Sequence, residues 1–360
     1  MIDEALSATR AVQSRLRDLP SRVVVYLVLA ACLFPETGHL GVWRKLTGAL
    51  AGLPVAAPTA SALARARRRV GGKPPRWLFD LLRGPAATRH GPGSRWRGLL
   101  VVALDGTTLT VPDTPAVLTR FTKQAGNHGG TGYPQVRLLA LVACGTRTLI
   151  DAVFGPTTAG ETTYAPRLLP SLRPGMILPA DRNFGAQRLL ADIAATGAEV
   201  LVRLKNGRRM PVPARFPDGS CLSALGSLRV RVIGCEITTT GKHTGLYRLA
   251  TTLPDHHRHP AAELATLYHQ RWEIETAYLE LKSAIPGGRV LRAVIADTVI
   301  DLAGTIGRHV LASLLPERRL RVSPCIVKRA ISKYQARGPR IDRTSYKATT
   351  SIEILAAAGP

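Results

Sequence analysis

Two aspartates end apolar runs where a charged residue is out of place. Asp105 closes LLVVALD and Asp181 closes MILPAD. A carboxylate that finishes a buried strand is costly unless it is paired or bound to metal. Strand ends also present side chains to a site at the sheet edge. A turn-starting aspartate explains either position equally well. Two of them fit a two-metal phosphoryl-transfer site, which needs two or three oxygen ligands on rigid elements.

A third carboxylate lies in YHQRWEIETAYLELK. Read as a helix, this segment places Arg271 about 60°, Glu275 about 20° and Lys282 about 40° from Tyr268. Glu273 and Glu280 point more than about 100° away. A phenol, a guanidinium, a carboxylate and an ammonium therefore share one stripe, which would be apolar if it faced a core. The carboxylate can bind metal and the cations can grip phosphates beside a scissile bond. The alternative is a solvated face with an ordinary Arg271–Glu275 pair. Spacing alone does not separate the two.

The whole chain carries a matching charge bias. Among 360 residues, 49 Lys and Arg face 24 Asp and Glu, a formal net charge of +25. Such an excess calls for a polyanion, so nucleic acid is the expected partner. Hydrophobic residues make up 45%, which excludes a disordered chain. The five cysteines have no zinc-ligand spacing, and their odd number without a secretory signal points to reduced thiols in the cytoplasm, where a DNA-binding chain is expected with the nucleoid. The apolar run Val23 to Phe34 is shorter than the roughly 20 residues a membrane helix needs, so no membrane is expected. No phosphate-cradling GxxxxGKS loop and no nucleophile partnered with a histidine is present.

These residues need elements to hold them. Residues 1–95 read as a helical, basic, DNA-binding domain. Its expected helices are Asp3 to Leu16, Ser21 to Phe34, Val42 to Leu50 and SALARARRRV, capped by Thr59 or Ser61 and stopped at Gly71-Gly72. Arg65, Arg68 and Arg69 make the last of these a candidate recognition helix, with a solvated basic helix as the alternative. Arg83 to Arg97 reads as a linker. Residues 96–204 show strands at LLVVALDG, TTLTVPD, VRLLALVACG, TRTLIDAVFG, MILPADRNFG and EVLVRLK, with helices at Glu161 to Leu172 and Ala186 to Thr196. This order predicts a mixed α/β sheet flanked by helices. Residues 205–253 read as a β-rich insertion, 254–310 as the helix of the stripe and a following helix, and 311–360 as a basic tail. Asp113 and Asp151 read as turn residues, and His256, Arg258 and His259 as a solvated cluster.

Tyr268, Arg271, Glu275 and Lys282 match, spacing for spacing, the tyrosine–arginine–glutamate–lysine signature of the insertion-element-four family of DDE transposases. LDGTTLTVPD, GYPQVRLLALV, ADRNFG and the leader SRVVVYLVLAACLF through ALARARRRVG resemble the same family, so the resemblance covers nearly the whole chain. It implies an RNase H-like core with a β-strand insertion before the catalytic helix. It implies Asp105, Asp181 and Glu275 as ligands of two Mg²⁺ (or Mn²⁺) ions, and Tyr268, Arg271 and Lys282 at phosphates of the transposon end. It further implies a homodimer on double-stranded DNA, both transposon ends and target, that excises and joins an insertion sequence. Relatives stack an insertion-domain tryptophan on a flipped base, but Trp43, Trp77, Trp96 and Trp272 all lie outside the insertion. Tyr247 and Phe216 are the substitutes available, with a core role for each as the favoured alternative. After Ala293 the sequence departs from the pattern, because GGRVLRA runs directly into VIADTVIDLAGTIGRHVL. Two alternatives to an active transposase follow: a decayed remnant that binds ends without cutting, and a nuclease without strand transfer.

Overall fold

The computed structural model describes residues 1–15, 17–34, 37–50, 55–83, 94–123, 132–145, 148–205, 207–239, 242–269, 271 and 350–355. Five helices come first: α1 (Ile2–Ala8), α2 (Ser21–Leu33), α3 (His39–Thr47), α4 (Ala60–Val70) and α5 (Lys73–Leu82). They bury Leu6, Val24, Leu27, Val42, Trp43, Leu63 and Leu78 in one core. Thr59 caps α4 by accepting the Ala62 N–H at 3.2 Å, and Gly71 ends it at φ 70°. Such a cap contributes about 1 kcal/mol, and a φ this positive favours glycine. The first expected helix is shorter than its sequence pattern suggests, because the chain turns at Arg10 with φ 55°. Helix α5 lies just before the expected linker; prolines 74 and 75 sit in its first turn, where their missing N–H costs nothing.

A mixed sheet follows, with strands β1 (Arg95–Trp96), β2 (Leu99–Thr110), β3 (Gln135–Ala143), β4 (Thr148–Pro156), β5 (Met176–Ala180) and β6 (Glu199–Arg203). Between them lie α6 (Pro115–Leu118), α7 (Glu161–Tyr164) and α8 (Gln187–Ala195). The order β4-β3-β2-β5-β6 has β2, β5 and β6 parallel and β2, β3 and β4 antiparallel. This is the mixed sheet with flanking helices expected of an RNase H-like core. LLVVALDG and TTLTVPD, expected as two strands, form the single β2, paired with β3 without a break from Val102↔Ala143 to Thr110↔Gln135. The expected helix from Glu161 to Leu172 stops at Tyr164 and continues as a 3₁₀ helix, Ala165–Ser171, with Pro166 in its first turn and Pro170 inside it.

Residues 205–253, expected as an insertion, extend the same sheet through β7 (Ala214–Arg215), β8 (Cys221–Leu225), β9 (Leu228–Thr239) and β10 (Lys242–Thr251). Strand β10 pairs with β6, so core and insertion share one hydrogen-bonded ladder. Helix α9 (Ala261–His269) then packs over one face. Within the expected tail, β11 (Thr350–Leu355) pairs with β9 and packs Ile352 and Ile354 into the α9 side.

Alternation divides the sheet cleanly. Val101, Ala103, Ile177, Leu201, Ile233 and Leu249 face α9. Leu100, Val102, Leu104, Leu178, Ala180, Val200 and Val202 face α8 and the Ala165–Ser171 segment. Among the described residues no helix is long and apolar enough to cross a membrane, and the Val23 to Phe34 run belongs to the N-terminal core.

Asp151 is not a turn residue. It is buried in β4, accepts from Ser171 Oγ–H at 2.5 Å and pairs with Arg83, which also reaches Asp80 at 3.1 Å. The end of α5 is thereby fastened to the sheet. A buried carboxylate is tolerated because a cation and hydrogen bonds accompany it.

Candidate active site

The parallel strands set the site. Leu104 is in register with Ala180, and Ala180 with Val202. The residues that follow each are Asp105, Asp181 and Arg203. Asp181 is still extended, at φ −75° and ψ 164°, so the alternation of β5 carries through it. Leu104, Ala180 and Val202 face away from α9, so the three charged residues leave the sheet on the α9 side. Two carboxylates and a guanidinium thus stand in one row across adjacent strands. Asp105 also accepts the Gly106 N–H at 2.9 Å.

Above this row sits Tyr268, near the end of α9 and only 5% exposed. Its ring lies 6.2 Å from that of Tyr247, and the Arg203 guanidinium stacks 4.0 Å over Tyr247. Arg271 lies 6.0 Å over the Tyr268 ring. Burial, opposed by Arg271 and reinforced by the Asp181 charge, pushes the Tyr268 phenol up to about 12. The hydroxyl is therefore a donor across the whole physiological range. The Nε of Arg203 is buried and has no hydrogen-bond partner among the described residues. A cavity of about 480 Å³ opens beside Asp181, lined by Arg182, Asn183, Arg203, Leu204 and Lys205.

The structure thus brings together Asp105, Asp181, Tyr268 and Arg271 from the sequence reading. Glu275 and Lys282 lie outside the described residues. Arg65, Arg68 and Arg69 are exposed on α4, where Arg69 also donates to the Leu19 carbonyl at 2.7 Å. Their neighbour Arg67 is buried against His39. Of the two candidate stacking residues, Tyr247 adjoins the site, whereas Phe216 stacks on His256 at 4.7 Å. Sequence reasoning missed Arg203 and the cavity residues Arg182, Asn183 and Lys205. The signal was present: EVLVR is an apolar strand ended by a charge, like the two that end in aspartate.

Two hard oxygen donors on neighbouring rigid strands suit a divalent cation. Among the described residues no three metal-ligating side chains gather into a cage.

The chain is similar to known proteins over most of its length. Residues 1–80 match the family described as insertion element 4 transposase N-terminal. Residues 96–292 match the transposase DDE domain. The chain is 27% identical over 304 residues to transposase InsG for insertion sequence element IS4 of Escherichia coli (strain K12), covering 81% of this chain and 68% of that one. It is 27% identical over 197 residues to putative transposase InsZ of the same organism, covering 54% of this chain and 64% of that one. Among solved structures, a piggyBac transposase synaptic complex with hairpin DNA aligns at TM-score 0.46 and 12% identity over 93% of this chain and 76% of that one, a likeness too slight to carry an argument. With the DDE domain spanning residues 96–292 and the insertion element 4 N-terminal region ahead of it, the chain belongs to the insertion element 4 family of DDE transposases.

Proposed function

We propose that this transposase cuts and joins DNA strands at the ends of its element through a site built on Asp105, Asp181 and Glu275. The observation that carries the reading is the in-register row of Asp105, Asp181 and Arg203 beneath Tyr268. Asp105, Asp181 and Glu275 would hold two Mg²⁺ or Mn²⁺ ions, which when bound supply Lewis acidity toward the phosphodiester and toward an attacking hydroxyl.

The chain's own groups position the substrate. Arg203 and Arg271 flank the carboxylate row, and their forked donors suit phosphate oxygens. The Arg203 guanidinium would donate from its Nη groups to a phosphate oxygen. Tyr268, kept protonated, donates to a phosphate oxygen, and Lys282 would add a further cation to the grip. In each step a water or a DNA 3′-hydroxyl attacks phosphorus in line. The new P–O bond forms as the P–O bond to the departing oxygen breaks, and the nucleophile's proton passes to solvent. No covalent protein–DNA intermediate is required.

The partners are double-stranded transposon ends and target DNA, bound by a homodimer. The charge of +25 supports a polyanionic partner. Residues 1–95 would serve as the DNA-binding domain through Arg65, Arg68 and Arg69, and residues 205–253 as the insertion. The test uses purified protein, Mg²⁺ and DNA carrying the element's ends, with Glu275→Ala and Asp181→Asn beside the wild type. Loss of cleavage and joining in both variants, with end binding kept, is expected. Undiminished cleavage by Glu275→Ala rejects the assignment. Binding without any cutting by the wild type favours an end-binding remnant, and cutting without joining a simple nuclease.

A further inference from the structure

Arg231 is fully buried in β9. Its Nη2 donates to the carbonyl of His259, and its Nη1 lies 3.9 Å from Asp218 Oδ2. Its Nε and Nη1 have no hydrogen-bond partner among the described residues. Asp218 lies between β7 and β8. It accepts the N–H of Ala261, the first residue of α9, at 3.0 Å, and both the N–H and Oγ–H of Ser220. Burial works against its charge, but these bonds and the Arg231 charge prevail and hold its carboxyl below the ordinary range. His259 is correspondingly not part of a solvated cluster: it is partly buried, 5.6 Å from the Trp96 ring, and its carbonyl is engaged. Arg97 also grips Glu263 in the first turn of α9 with bonds of 2.9 and 2.6 Å.

A helix start leaves N–H groups unsatisfied and carries partial positive charge, and both are met by a nearby carboxylate. That carboxylate normally comes from the adjoining residue. In this chain it comes from 43 residues earlier. The residue before α9 is Pro260, whose side chain accepts nothing, and the contact is made across the insertion by Asp218, backed by a buried arginine. We propose that Asp218 and Arg231 are positioning residues, through which the insertion fixes the direction of α9 and so the placement of Tyr268 and Arg271 over the carboxylate row.

This rests on the reading that α9 carries groups of the active site. The lever is long. Tyr268 and Arg271 lie 7 and 10 residues beyond Ala261, about 10–15 Å at 1.5 Å per residue. A tilt of about 5° at the first turn therefore moves them by about 1 Å, a misplacement that costs up to about 100-fold in rate.

The full chain is tested as Arg231→Met and Asp218→Asn. Three quantities are read: single-turnover cleavage at saturating end DNA, the Kd for that DNA, and amide hydrogen exchange over residues 261–268. Arg231→Met removes a buried charge with two unsatisfied N–H groups but leaves Asp218 without its cation, so its melting temperature should fall, and cleavage is therefore read per folded molecule. Cleavage so read should fall at least tenfold, with Kd changed less than threefold and exchange in α9 faster. Asp218→Asn should fall in the same direction. Wild-type exchange in α9 with wild-type cleavage in Arg231→Met overturns the proposal. So does cleavage lost only in proportion to folded protein. If wild-type protein cuts nothing, the functional reading fails, while unchanged or faster α9 exchange in the variants still decides the clamp.

Discussion

Arg203→Met isolates the contribution of the residue that completes the carboxylate row. The native guanidinium has a buried Nε without a partner and stacks 4.0 Å over Tyr247. In the free protein its removal forfeits a cation–π interaction of about 0.5–2 kcal/mol, offset by relief of the unsatisfied N–H, itself about 1–3 kcal/mol. Stability should therefore fall by no more than about 1 kcal/mol, and a gain is equally compatible with the two terms. With DNA bound, the variant lacks a hydrogen bond to a charged phosphate, about 1.5–3 kcal/mol. At 1.36 kcal/mol per decade this is about a 10- to 150-fold reduction. The assay is single-turnover strand cleavage of end DNA in Mg²⁺, with thermal unfolding and salt titration of binding alongside. The logarithmic salt slope should fall by about 0.9, the value for one phosphate that the side chain no longer neutralises. Arg203→Lys, which keeps charge but not the fork, should cut at an intermediate rate. If Arg203→Met cuts within threefold of the wild type while Asp181→Asn is dead, Arg203 does not touch the reacting phosphate, and the argument from strand register is wrong.

Tyr268→Phe should slow cleavage about 10- to 100-fold, yet leave the shape of the pH–rate profile unchanged up to pH 9, because the phenol titrates only near 12; a lost basic limb in that range would show that the hydroxyl ionises instead. Asp151→Ala leaves Arg83 without its buried partner and should lower stability by about 2–3 kcal/mol, discounted because Arg83 is partly exposed, as measured by urea unfolding. His259 and His269 have pKa values lowered from 6.5, by burial first and, for His259, also by Arg231 and Arg258. Both fold neutral, so the unfolded chain takes up protons first and stability present above pH 6.5 is lost as pH falls toward the folded values. The melting temperature should drop between pH 7 and 5.5, and the drop should shrink in His269→Gln.

Several features were legible from the residues. The caps and stops of α4, at Thr59 and Gly71, follow from a hydroxyl that accepts a free N–H and a glycine that tolerates positive φ. The strands carrying Asp105 and Asp181 follow from apolar runs ended by a charge. Of the stripe expected from the helix period, Tyr268 lies near the end of α9 with Arg271 over its ring, and Glu275 and Lys282 lie outside the described residues.

Other features needed partners distant in the chain. That Asp105, Asp181 and Arg203 share a level depends on the parallel register of β2, β5 and β6, which hydrogen bonds between strands set and no local pattern encodes. Asp151 looked like a turn residue because its stabilising cation, Arg83, lies 68 positions away. The break expected after Gly106 is absent because β3 offers β2 a continuous ladder. The sequence alone determined which side chains can do the chemistry and on what kind of element each rides. Only the tertiary structure decided which of them meet, because the desolvation, pairing and register that bring charges together arise between segments rather than within them.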